Sequence, residues 1–278
     1  MKIGLTGSSG ILGSSLLKIL KNKDINNFKG RVENIKHIEE WIFKNDFDVI
    51  LHFAAIVPTN VVDSNKKKAL HVNYHGTKNI VDSINKFSKK KIWLFYSSTS
   101  HVYNFNKNKR KEKHSTNPIS YYGETKLLGE QYILNNQFKI IACVGRIFSF
   151  TSYKQNKNFI IPAIISKLKN KIQTIDLQNL NHIRDFLPIE DIINAVKFLL
   201  NKKTSGVYNI CSSQKTNLKH LTLELNKNYK KKLTFSNNKK TTTLFGCNNK
   251  ISNLGWKPSK INYTNYLLEK YFIKNFFN

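Results

Sequence analysis

An α/β fold, a doubly wound parallel sheet with a smaller C-terminal part, is what this 278-residue sequence predicts. Three observations carry the prediction. A short apolar run near the start breaks into three regularly spaced glycines; buried-strand runs then alternate with helical stretches as far as about residue 150; beyond it the pattern is looser. Strands separated by helices of that length imply parallel neighbours joined by crossover connections.

Taken in order, KIGLT at 2–6 reads as a strand stopped by glycine, and ILGSSLLKIL at 11–20 has apolar spacing near the helical period. DVILHFAA at 48–55, KIWLFYS at 91–97 and KIIACVGRI at 139–147 read as buried strands, the first two each preceded by a polar helical stretch. A helix at 159–169, a strand at 173–177, a helix at 190–201, the strand GVYNI at 206–210 and a helix near 217–228 follow. Residues 1–150 are expected to form a dinucleotide-binding domain and 151–278 a substrate-binding part, with 183–210 returning to the first. The stretches 104–117 and 226–241, rich in lysine and asparagine, read as exposed loops or helix ends.

The composition excludes several classes. No run of 18 apolar residues exists to form a spanning helix. The opening MKIGLTGSSGILGSSLL has the lysine and apolar residues of a leader, but glycines interrupt it and no small-residue cleavage site follows, so it reads as structure. Cys143, Cys211 and Cys247 are odd in number and lack any CxxC spacing, which predicts neither disulfides nor a metal site and fits a reducing cytoplasm. The formal charge of +29 suggests polyanions. Yet only Arg31, Arg110, Arg146 and Arg184 among 46 basic residues are arginines, the residue that reads bases and clamps phosphates. The lysines are spread along the chain with much Asn, Ile, Phe and Tyr, residues of A/T-rich codons. A solvated lysine surface with no specific nucleic-acid face is the expectation.

Gly7, Gly10 and Gly13 stand at G-x-x-G-x-x-G spacing between the first strand and the first helix. This is the context a Rossmann-type dinucleotide site needs. Gly7 permits the tight turn, Gly10 lets backbone approach a pyrophosphate, and Gly13 allows close helix packing. Ile11, Leu12 and Gly13 then offer first-turn N–H groups to phosphate. The spacing resembles that of the extended short-chain dehydrogenases, a family that includes UDP-galactose 4-epimerase and nucleotide-sugar dehydratases and reductases. His52-Phe53-Ala54-Ala55 resembles the family's HxAA, and Asn73-x-x-Gly76-Thr77 its following helix motif. Arg184-Asp185-Phe186 with Asp191 resembles its RDF element, and Leu254-Gly255-Trp256-x-Pro258 its LGW-x-P. The resemblance implies NAD or NADP as cofactor, with Phe53, Ala54 and Ala55 beside it, a nucleotide-sugar substrate and a homodimer. One departure stands out: the acid that should follow the glycines by about 20 residues has no clear counterpart in the short segment 21–30. Asp24 and Glu33 qualify by distance alone, and Arg31 is placed to meet a 2′-phosphate or to lie on the surface.

The family's catalytic trio is a Ser/Thr, a Tyr and a Lys, the last two at Y-x-x-x-K. Five tyrosines have that spacing: Tyr74/Lys78, Tyr103/Lys107, Tyr122/Lys126, Tyr153/Lys157 and Tyr266/Lys270. Only Tyr122 also opens a helical pattern about 20 residues after the hydroxyl-rich Ser97-Ser98-Thr99-Ser100. Thr99, Tyr122 and Lys126 are therefore the expected catalytic residues, with Tyr122 exchanging the proton, its pKa lowered by Lys126 and the nicotinamide. Ser98 and Ser100 are alternatives to Thr99. Ser100 and His101 stand where dehydratases carry an Asp-Glu pair, which disfavours dehydration. Tyr121 lacks the lysine and reads as packing or substrate contact. For the substrate, the resemblance points to Ser98, to Ser149 in place of an asparagine in Arg146-x-x-Ser149, and to Arg184. An epimerase or a 4-keto-sugar reductase is implied; the other reading is a non-catalytic dinucleotide-sensing regulator on the same fold.

Overall fold

The computed structural model describes residues 1–21, 23–260 and 262–272. Five strands, β1 (Lys2–Thr6), β2 (Asp24–Asn27), β3 (Val49–His52), β4 (Ile92–Thr99) and β5 (Ile140–Ile147), join Gly206–Ile210 in a six-stranded sheet. Across it the order is 206–210, β5, β4, β3, β1, β2. The pairings among β1 to β5 are all parallel, with Leu5 opposite both Leu51 and Asn27. The chain leaves β1 for the sheet edge, makes β2, and returns past β1 to make β3. Such a reversal is a topological switch point, and ligands of open α/β sheets bind outside the carboxyl ends of the strands there.

The inner strands β1, β3, β4 and β5 are largely apolar runs, as expected where both sheet faces are covered. Ile3, Leu5, Ile50, Leu51, Leu94 and Phe95 are fully buried. The connections hold α1 (Ile11–Ile19), α2 (Ile35–Phe43), α3 (Thr59–Ser64), α4 (Lys66–Leu70), α5 (Gly76–Phe87) and α6 (Tyr121–Asn135), with a π-helical turn, His71–His75, between α4 and α5. The unclear segment at 21–30 contains β2, a four-residue edge strand of sequence DINN. Its polar side chains are used: Asn26 Oδ1 accepts from Trp41 Nε1 at 2.6 Å.

The chain forms two compact units. One comprises Met1–Asn104, Glu112–Ile147 and Ile193–Asn209; the other comprises Phe105–Lys111, Phe148–Ile192 and the chain from Ile210 onward. The second has its own core, including Ile161, Ile164, Leu168, Leu177, Leu221 and Leu267. Two lysine-rich stretches are more structured than the sequence suggested. Lys232–Ser236 is a strand, parallel to Thr174–Gln178, with Leu233 opposite Ile175 and Phe235 opposite Leu177. Lys232, Thr234 and Ser236 alternate with these two apolar residues, a period-2 signal that the lysines and asparagines on either side obscure. Within 104–117, Arg110 is buried, and its backbone exchanges hydrogen bonds of 2.9 Å with Phe245 and Cys247.

Candidate active site

The turn after β1 lies at the switch point. Gly7 takes φ +73°, a conformation that side chains disfavour. A Cβ there would lie 2.6 Å from Ala54 N and 2.7 Å from Phe53 C, so the loops after β1 and β3 touch backbone to backbone. A Cβ on Gly13 would collide with the Gly7 carbonyl. Gly10 differs, since its Cβ would meet only Gly7 O, at 3.2 Å. The protein's own packing thus requires the first and third glycines, while the bareness of the second leaves space beside the turn. Gly10 is also the N-cap of α1, and no side chain caps that end. The first N–H groups of the helix, on Ile11, Leu12 and Gly13, with the positive end of its dipole, fit a diphosphate.

Behind the turn, His52 forms a buried relay. Its Nδ1 lies 2.7 Å from Thr6 Oγ1 and its Nε2 3.0 Å from Thr77 Oγ1. Thr77 gives its proton to the Asn73 carbonyl at 2.7 Å, so Nε2 carries the ring proton and Nδ1 accepts from Thr6. Burial, with a smaller contribution from Lys126, holds the His52 pKa down to about 3, and the ring stays neutral. Thr6 Oγ1 accepts in turn from the Ala54 N–H at 3.3 Å, fixing the partly exposed Phe53-Ala54-Ala55 segment. Asn73, in the π turn, holds the next residue: its Oδ1 accepts from Ile56 N at 2.7 Å and its Nδ2 donates to Thr125 Oγ1 at 3.1 Å.

That last bond reaches α6. Ser120 opens the helix as an N-cap, its Oγ accepting from Gly123 N at 3.1 Å and meeting His101 Nδ1 at 3.0 Å. A Cβ on Gly123 would strike the His101 carbonyl, so glycine lets the helix start close against the turn after β4. Tyr122 is partly buried, and Thr99, the last residue of β4, is the side chain that acts on its hydroxyl. Thr99 Oγ1 also accepts from His101 N at 3.2 Å. Lys126, one turn along, is 1% exposed, its Nζ 4.1 Å above the Tyr96 ring and without a hydrogen bond among the described residues. Burial lowers its pKa to about 7, against the opposing pull of Glu130.

Thr99, Tyr122 and Lys126 thus come together, with one difference from the expected electrostatics. Burial pushes the Tyr122 phenol well above its ordinary value, and only the Thr99 hydrogen bond opposes it. Lys126 is not among the groups that act on the phenol; its Nζ lies over the Tyr96 ring and burial disfavours its own charge. Ser98 is not at Tyr122; its hydroxyl donates to the Glu130 carboxylate. Ser100 is buried in the turn after β4. Asp24 opens β2 opposite Lys2, at the end far from the glycine turn, while Asn27 closes the strand opposite Leu5, its Oδ1 buried and unpartnered among the described residues. Arg31 is exposed. Ser149 begins a short strand parallel to Phe186–Pro188, and Arg184 donates through Nη1 to the Ile183 and Thr242 carbonyls at 2.8 and 3.0 Å. Tyr121 lies under Lys66 Nζ, 5.4 Å from the ring centroid.

Residues 3–211 match the NAD dependent epimerase/dehydratase family. Among curated proteins, the GDP-6-deoxy-D-talose 4-dehydrogenase of Aggregatibacter actinomycetemcomitans is 31% identical over 76% of this chain and 74% of its own length. Among solved structures, RMD from Pseudomonas aeruginosa complexed with NADPH aligns over 97% of this chain and 98% of its own, with TM-score 0.81 and 20% identity. The UDP-glucose 4-epimerase of Thermus thermophilus in complex with NAD covers 97% of each chain, with TM-score 0.83 and 15% identity. The two structures share the fold.

Proposed function

The chain belongs to the NAD dependent epimerase/dehydratase family, and on that premise we propose that it interconverts a 4-keto group and a 4-hydroxyl on a nucleotide sugar, with NAD or NADP as hydride partner. The observation that carries this reading is the placing of Tyr122, at the start of α6, beside Thr99 at the carboxyl end of β4, with Lys126 one turn further on. A 31% identical relative is a 4-dehydrogenase of a GDP-6-deoxy sugar, which supports redox chemistry at that carbon. The NADPH and NAD bound to the two solved neighbours support a nicotinamide dinucleotide. Dehydration is disfavoured because Ser100 and His101 occupy the two positions after Thr99, and His101 is bound to Ser120.

When bound, the dinucleotide exchanges a hydride with the sugar carbon. The chain's own residues handle the proton. Tyr122, kept protonated at neutral pH by burial, suits the donor in ketone reduction: as the carbonyl oxygen becomes an alkoxide it takes the phenol proton, and in oxidation the hydroxyl returns it. Thr99 accepts from His101 N–H, which leaves its own proton to steady the developing charge. The N–H groups of Ile11, Leu12 and Gly13 would hold the diphosphate, and Gly10 gives it room.

The test is a panel of GDP-, UDP-, dTDP- and ADP-linked sugars supplied with NAD or NADP in oxidised and reduced form. Net change of nicotinamide absorbance matched mole for mole to sugar is expected. An epimerase would invert the sugar with no net nicotinamide change, and binding of the dinucleotide without turnover would favour the regulator. No binding at all overturns the reading.

A further inference from the structure

The seat of α6 is unusual for a helix packed on a buried sheet. Its neighbour α5 buries Ile80, Val81 and Ile84. The buried positions of α6 are Gly123, Thr125, Lys126, Gly129, Glu130 and Ile133, with one large aliphatic among them. Apolar burial is non-directional, and on α6 it rests on Ile133 with Tyr132 and Leu134 partly buried beside it, a narrow face on which to choose the helix's rotation or its height on the sheet. Directional contacts must do so, and the densest set lies at Glu130, which is 1% exposed.

Its carboxylate receives Arg146 Nε at 3.1 Å on both oxygens, Arg146 Nη2 at 2.7 Å and the Ser98 hydroxyl. Ser98 and Arg146 are register partners across β4 and β5, one pair before Thr99 and Ile147. A single helix side chain therefore bridges two strands at the level of the candidate active site. The far side of the guanidinium is held too. Nη1 donates to the Tyr103 hydroxyl at 2.8 Å and the Glu112 carbonyl at 3.3 Å, and Tyr103 donates to Asn209 Oδ1 at 2.8 Å. Buried ion pairs are weak sources of stability, since apolar pairs of similar volume often do as well, and their best-attested use is to fix a register.

We propose that the Glu130–Arg146 pair is a register pin that sets the height and rotation of α6 on β4 and β5 so that the Tyr122 hydroxyl meets Thr99. Both are positioning residues, one helical turn beyond Lys126 and on the strand beside it. The proposal rests on the function proposed above for what Tyr122 does, but not for where it sits.

The test places 3-fluorotyrosine at position 122 and follows its fluorine resonance in ligand-free protein. Thr99→Val, which removes the partner hydroxyl, gives the reference for a lost contact. In the apolar double variant Glu130→Leu/Arg146→Met the thermal midpoint is expected to stay near that of the wild type while the resonance moves toward the Thr99→Val position. Turnover falls by ~10-fold or more, the scale of a slightly misplaced group, with KM little changed. A stable double variant with the wild-type resonance overturns the pin, because a merely structural pair would leave Tyr122 in place. If that variant fails to fold, Ser98→Ala loosens one grip and leaves the charges paired. A smaller shift in the same direction supports the pin and an unmoved resonance overturns it. A shifted resonance where no form, wild type included, turns over any sugar would sink the proposed function and leave the pin standing.

Discussion

The glycine turn and the α6 seat are built by opposite means. The turn is made of backbone: its shape follows from the lack of Cβ atoms at Gly7 and Gly13, and its charge from uncapped N–H groups. The seat is made of side chains, almost all polar, joined end to end from Asn73 through Thr125 and from Ser98 through Glu130 to Arg146. A backbone site is broken by adding atoms, and the damage spreads to the fold when the added atom meets protein. A side-chain site is broken by removing atoms and leaves the fold behind.

The sharpest contrast is within the turn itself. Gly13→Val drives a side chain into the Gly7 carbonyl, so the folded protein should be lost or its thermal midpoint should fall by ~10 °C or more. Gly10→Val meets one atom at 3.2 Å and should lower the midpoint far less than Gly13→Val while losing dinucleotide binding in calorimetric titration. Equal damage to both would erase the distinction between a glycine needed by the protein and one needed by a ligand.

Next in size is Tyr122→Phe, which takes one oxygen from the side-chain half of the site. Folding and dinucleotide binding should survive while turnover drops by ~10² or more, the scale of a lost general acid. Phenylalanine at Tyr74, packed edge-on against Tyr132, or at the exposed Tyr153 should leave turnover within a few-fold. Near-normal turnover in Tyr122→Phe would move the acid/base role elsewhere.

The smallest effect is a slope. Lys126 titrates at about 7 in the folded ligand-free chain against 10.5 when unfolded. Between those values the unfolded chain holds a proton that the folded chain lacks, so this group makes the fold more stable as pH rises and costs most below pH 7. Urea unfolding of wild type should gain about 1 kcal/mol per pH unit over Lys126→Met across that window. Parallel pH profiles would mean that Lys126 is not desolvated.

Much of the backbone half was legible in the sequence. Strand, glycine spacing and helix are local and contiguous, and the apolar runs at 48–55, 91–97 and 139–147 mark three neighbouring sheet strands. The helical context selected Tyr122 from five spacings. What stayed hidden was long-range. Nothing in the separation of Glu130 from Arg146 marks a buried pair among so many charges, and the edge strand DINN offers no apolar run. Ser98 had a signal: consecutive strand residues point to opposite faces, so Ser98 and Thr99 were poor candidates for one target. The raised pKa of Tyr122 depends on burial, which Y-x-x-x-K spacing does not encode.

The sparse apolar face of α6 also bears on temperature. Apolar association weakens on cooling because the hydration of apolar surface carries a large heat capacity. The α5 face, with Ile80, Val81 and Ile84, draws on that term, whereas among large aliphatics α6 fully buries only Ile133, with Leu134 partly buried. In the cold, the contacts that aim Tyr122 at Thr99 lose less of their strength than the packing around them.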